Sequence, residues 1–182
     1  MVFEGEPLTA DLALVGTASV DLWLSSPVDD ADLQVTISEA RPDGKETYVQ
    51  SGWLRARHRL PGPDATVTWP AQTFEQKNGS PLPLNGWTEV RVPTAGFAHV
   101  MRAGSRVRIQ IDTPGGTRAD WRFALKQFSG EVRYAIGHDS VRASSVVLPQ
   151  VEGFTIPAGR PPCPSLRGQP CRDWAAFLNV AR

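Results

Sequence analysis

The sequence predicts an all-β sandwich, and three observations carry that prediction. Apolar and polar residues alternate at period two through most segments, the signature of half-buried strands. Sixteen Gly and sixteen Pro among 182 residues punctuate those segments at short intervals, too often for a helix bundle. No unit of repeat length recurs, which excludes a propeller or a solenoid. With 41% hydrophobic residues, the chain has material for one core, and its long connections favour a jelly roll among sandwiches.

The elements follow in order. Leu8, Ala10, Leu12 and Leu14 share one face of a first strand, with Thr9 and Asp11 opposite. Val20, Leu22 and Leu24 repeat the pattern and turn Trp23 outward; Leu33, Val35 and Ile37 repeat it again, with Gln34, Thr36 and Ser38 between them. The separators SSPVDD and ARPDGKE are turn chemistry. A longer strand is expected from Tyr48 to Arg59, with Arg55, Arg57 and Arg59 on one face. From Ser105 to Asp112, Val107, Ile109 and Ile111 face inward and Arg106, Arg108, Gln110 and Asp112 outward. Val90 with Val92, then Val132, Tyr134 and Ile136, then Val146 to Leu148 complete about eight or nine strands.

Two places read as helical. Phe97, Val100 and Met101 suggest a single turn before Gly104, and DWAAFLNVAR suggests a short C-terminal helix with Asp173 as N-cap and Trp174, Phe177, Leu178 and Ala181 on one face. Long loops run from Leu60 to Trp87 and from Pro114 to Gly130. The organisation expected is a jelly-roll domain over residues 1–151 and a Pro-rich tail with a cysteine loop over residues 152–182.

Nineteen basic residues balance nineteen acidic ones, so no global field draws the chain to nucleic acid or an anionic membrane. No apolar run approaches the roughly 18 residues of a membrane span, and the N-terminus lacks the pattern of a signal peptide. Cys163 and Cys171 in CPSLRGQPC are spaced too widely for a CxxC pair and lack the company a zinc site needs. Pro164, Gly168 and Pro170 bend the loop; a local disulfide, contributing about 2.5 kcal/mol on the loop-entropy relation, stands beside two free thiols as the reading of this pair.

The motifs of nucleophile elbow, P-loop, dinucleotide fold, zincin and EF-hand are absent, and no cofactor or metal is expected. His58, His99 and His138 are scattered, and neighbours such as His138, Asp139 and Ser140 on a strand point to opposite faces and form no relay. Trp23, Trp69, Trp87 and Trp121 are candidates for a ligand platform or a domain interface, against the simpler reading that they pack on their own sandwich. The three arginines read as partners for nearby carboxylates or for a neighbouring domain.

In order along the chain, FEGEPLTADLALVG, VDLWLSS, DLQVTISEARPDGKE, SGWLRARHR, WTEVRVP, AHVMRAGSRVRIQI, DTPGG and SSVVLP resemble the C-terminal domain of X-Pro dipeptidyl-peptidases and CocE/NonD acyl esterases. The most specific parts are G-x-L-R-A-x-x-R, here Gly52, Leu54, Arg55, Ala56 and Arg59, and R-A-G-x-R-x-R, here Arg102, Ala103, Gly104, Arg106 and Arg108. The resemblance runs from about Phe3 to Val151. It implies a galactose-binding-like jelly roll that follows an α/β-hydrolase domain and packs against it, while the Ser-Asp-His triad belongs to that other domain. No catalytic residue is therefore expected in this chain, and the chain reads as a domain of a larger serine hydrolase. Its tail resembles extensions of exported members, which would suit a disulfide. The alternative is a carbohydrate-binding module using exposed Trp residues.

Overall fold

The structure, a computed structural model, describes residues 1–115, 124–165 and 169–176. Among these the protein is an all-β sandwich of eleven strands: β1 (Val2–Glu4), β2 (Leu12–Gly16), β3 (Ser19–Ser25), β4 (Asp32–Ala40), β5 (Lys45–Arg55), β6 (Trp87–Pro93), β7 (Phe97–Met101), β8 (Arg106–Asp112), β9 (Ala135–Gly137), β10 (Ser145–Val147) and β11 (Cys171–Asp173). The large sheet has the order β1-β8-β4-β5-β11, and the small sheet the order β10-β3-β6 with β9 also on β3. A separate ribbon pairs β2 with β7, and every pairing is antiparallel.

The alternation seen in the sequence builds the core directly. Val20, Leu22 and Leu24 of β3 and Val90 and Val92 of β6 meet Leu33, Val35 and Ile37 of β4, Leu54 of β5, and Ile109 and Ile111 of β8. At one point the two layers touch backbone to side: a Cβ on Gly52 would lie 1.9 Å from the Pro93 carbonyl oxygen. Only glycine fits there.

Several expectations are corrected. Phe97–Met101 is a strand, because Leu12–Gly16 lies beside it in register and supplies hydrogen bonds that no local pattern announces. The first predicted strand pairs only from Leu12; Leu8 instead exchanges backbone hydrogen bonds with Gly104 and Ser105. The β5 strand stops at Arg55 and passes into a 3-10 turn at Ala56–His58, so the three arginines do not share a sheet face. Of the Val132–Ile136 run, only Ala135 and Ile136 are strand, in β9. The expected N-cap Asp173 belongs to β11, and Trp174–Ala176 have no regular structure; the rest of the predicted C-terminal helix, like Trp121 and Gly168, lies outside the described residues.

The largest surprise is the outward face of the large sheet. Arg108, expected in water, is fully buried. The tail lies over it: Arg108 Nη1 donates to the Ala175 carbonyl at 2.9 Å and stands 3.6 Å from Glu4 and 3.7 Å from Glu46. Glu46 is in turn clasped by the fork of Arg172 at 2.8 and 2.9 Å and accepts the Ser38 hydroxyl at 2.7 Å. Cys163 and Cys171 are disulfide-bonded, which fixes the tail where β11 joins the edge of β5.

Candidate interaction face

The outer face of the small sheet is set by register. Asp21, Trp23 and Ser25 of β3 stand opposite Arg91, Glu89 and Trp87 of β6, so both strand tryptophans share one face. The Arg142 guanidinium lies over the Trp87 ring, 4.7 Å from its centroid, and Asp139 holds that guanidinium at 3.0 and 3.2 Å. Such a cation over an indole covers a ring face and contributes about 0.5–1 kcal/mol where exposed. Gly137, opposite Trp23, has no room for a Cβ, which would sit 2.7 Å from Arg142 Cβ. That contact brings the Asp139–Arg142 turn down onto the tryptophans.

Beside this face runs the segment from Leu60 to Gly86, and it is tied down along its length. Arg59 donates to the carbonyls of Ser80 at 2.5 Å and Pro81 at 3.1 Å. Leu82 is buried and its amide donates to Asp29 O at 2.8 Å; the Asn85 amide donates to Ser26 O at 2.7 Å. Arg91 reaches out from β6 to the carbonyls of Val67 at 2.5 Å and Thr66 at 3.2 Å, and the Gln72 side chain donates to Arg91 O at 2.8 Å. The segment nevertheless presents apolar side chains to water: Val67 is 68%, Leu84 64%, Phe74 58% and Trp69 43% exposed. Phe74 also holds a left-handed backbone, φ 55°, a conformation costly for an aromatic residue, and its ring stands 5.9 Å from that of His58.

The other candidates separate. Arg55 pairs with Asp32 at 2.7 Å and Arg57 with the buried Asp30 at 3.4 Å, while Arg59 serves the loop. His138 contacts Phe3 at 5.9 Å between ring centroids, and Asp139 caps the following turn through the amides of Val141 and Arg142. His99 is nearly buried, its Nε2 2.9 Å from Glu39 and its Nδ1 3.0 Å from the Gln169 amide nitrogen. Burial opposes the charge on Glu39, but hydrogen bonds from His99, Ser105 and the Arg102 amide outweigh it and hold the carboxyl below its usual range. The three histidines thus lie apart, and among the described residues no cluster suited to a metal ion forms.

The loop had sequence signals, but its individual contacts did not. Val67, Phe74 and Leu84 are single apolar residues among Pro, Thr, Gln and Asn, with no periodic neighbour to assign them to a core. Arg91 is placed by its register with Asp21, and Arg142 by the turn that Asp139 holds.

The two-sheet antiparallel sandwich, with an anchored loop that presents apolar side chains, defines an all-β module. The sequence model of the X-Pro dipeptidyl-peptidase C-terminal non-catalytic domain matches residues 1–120, and the chain belongs to that family. It is 26% identical over 156 residues to a candidate serine esterase of Mycobacterium bovis, and equally to one of Mycobacterium tuberculosis, covering 84% of this chain and 24% of each relative. A CocE/NonD family hydrolase from Staphylococcus aureus superimposes with a TM-score of 0.71 at 20% identity, over 84% of this chain and 30% of that one. An α-amino acid ester hydrolase superimposes with a TM-score of 0.61 at 18% identity, over 83% and 25%. The chain spans about a quarter of the length of the curated relatives it matches.

Proposed function

We propose that this chain is the non-catalytic sandwich of a serine hydrolase acting on acyl esters or X-Pro peptides, and that it packs on the α/β-hydrolase domain and helps shape the substrate site. Residues 1–151 form the docking sandwich in this reading, and residues 152–182 are a strap stapled to it. The observation that carries the proposal is the anchored loop. Hydrogen bonds fix its backbone, so its apolar side chains are held in water rather than left there by disorder. Burying Val67, Phe74 or Leu84 against a partner contributes roughly 1.5–3 kcal/mol each, and an aromatic pair at the centre of a contact is the usual source of its affinity. Trp23 and Trp87, with Arg142, extend the same side of the molecule.

The test has two arms. The chain alone, given p-nitrophenyl acyl esters and chromogenic X-Pro dipeptides, shows no turnover. Robust turnover abolished by a serine-directed inhibitor would overturn the reading. In the second arm, the catalytic part of the parent hydrolase, produced separately, binds the chain and regains activity on its addition.

A further inference from the structure

A second site lies on the outward face of the large sheet. There a cavity of about 280 Å³ has a polar floor made by strand register. Thr36 stands directly between Gln110 of β8 and Ser51 of β5, and Gln34 projects from the same face of β4 two residues away. Pro170, Cys171 and Arg172 of the strap form a wall.

The hydrogen-bonding capacity of this floor is not used up. The Trp53 indole N–H donates to Gln34 Oε1 at 2.9 Å; an indole nitrogen can only donate, so the assignment of the amide is fixed and its NH₂ group points elsewhere. Gln34 is 2% exposed, and that NH₂ has no partner among the described residues. Gln110 spends its NH₂ on Asp112 at 2.6 Å, which leaves its carbonyl oxygen as an acceptor. Thr36 and Ser51 share one hydrogen bond of 3.0 Å, so the pair keeps one hydroxyl proton and open lone pairs. Charge at the wall is cancelled, because Arg172 is bound through both nitrogens to Glu46.

We infer that this cavity binds a neutral polyhydroxylated ring, a single sugar residue. Each ligand hydroxyl both donates and accepts, which matches an amide donor, an amide acceptor and two adaptable hydroxyls set side by side on rigid strands. An apolar ligand would strand these groups, and the closed Glu46–Arg172 pair offers an anion no free charge. The volume lies just below the usual range of ligand pockets, roughly 300–1,000 Å³, so one ring fits where an extended glycan does not.

The experiment is ligand-observed and ¹⁵N side-chain amide NMR on the whole chain, titrated with methyl glycosides of glucose, galactose and mannose, with glycerol, and with a hexasaccharide of glucose. At least one methyl hexoside gives saturable binding and shifts the Gln34 amide signals. Gln110→Ala and Thr36→Ala, at partly exposed positions whose folding is checked by thermal melting, weaken it about tenfold, the value of one hydrogen bond of about 1.4 kcal/mol. Binding of the monosaccharide in preference to the hexasaccharide supports a closed single-ring site. Absence of saturable binding by every glycoside, or binding that both variants leave unchanged, overturns the inference.

Discussion

Glu39 shows how a single residue ties the ribbon to the large sheet. On β4, it accepts the Ser105 hydroxyl at 2.6 Å and the Arg102 amide at 3.0 Å, and it faces His99 of β7. Because its folded pKa lies below the ordinary 4.5, its stabilising contribution is complete above about pH 4.5 and is lost as pH falls through the folded value. Glu46 obeys the same sign: burial works against its charge, and the hydrogen bonds from Arg172 and Ser38 with the Arg108 charge prevail. Glu39→Gln should therefore lower stability at pH 7 by about 1–3 kcal/mol, the range for a buried group losing a charged hydrogen bond. It should also flatten the loss of stability between pH 5 and acid. Urea denaturation across that range checks both; an unchanged acid slope would sink the assignment.

Among elements, the strap is the one whose contribution can be isolated. The disulfide closes a sequence separation of 8, and β11 pairs Cys171 with Thr47, Arg172 with Glu46 and Asp173 with Lys45. Cys163→Ser with Cys171→Ser, or reduction by a dithiol, is expected to cost about 2.5 kcal/mol on the loop-entropy relation. Backbone amides of β5 from Lys45 to Tyr48 should then exchange faster, while those of β3 and β6 keep their protection. Hydrogen exchange with and without reductant reads this, and uniform protection in both states would mean the strap holds by side-chain contacts alone. Elements also differed in legibility. The β3 and β8 strands were plain because one face of each is apolar throughout. The five-residue β7 was not, since its pattern of Phe97, Val100 and Met101 suits a turn equally well until β2 lies alongside.

For the whole molecule, the exposed loop decides between a free-standing sandwich and a docked one. Val67→Ser, Trp69→Ser and Leu84→Ser remove apolar surface that touches water, so each should change the stability of the isolated chain by no more than about 0.5 kcal/mol. The same changes should weaken binding to the hydrolase domain, with the aromatic change the largest. Thermal melts and a binding titration separate the two effects. Losses of several kcal/mol in the isolated chain would mean these side chains pack on their own sandwich.

The chain's local patterns determined its class and most of its core. Period-two alternation with Gly and Pro punctuation specifies strands with one apolar face, and two such faces can be buried only against each other. The order of G-x-L-R-A-x-x-R and R-A-G-x-R-x-R, carried on Gly52 to Arg59 and Arg102 to Arg108, was enough for the family resemblance. What the sequence left open was which outward residues stay outward. Gln34, Ser38 and Arg108 read as outward residues, yet all three are buried, Arg108 beneath the tail; Val67, Phe74 and Leu84 lie in a long loop whose hydrogen bonds hold them in water. Burial of that kind depends on partners more than a hundred residues away, such as Arg172 on Glu46, and no periodicity within a strand encodes it. Only the packing of the tail and loop over the sandwich decides it.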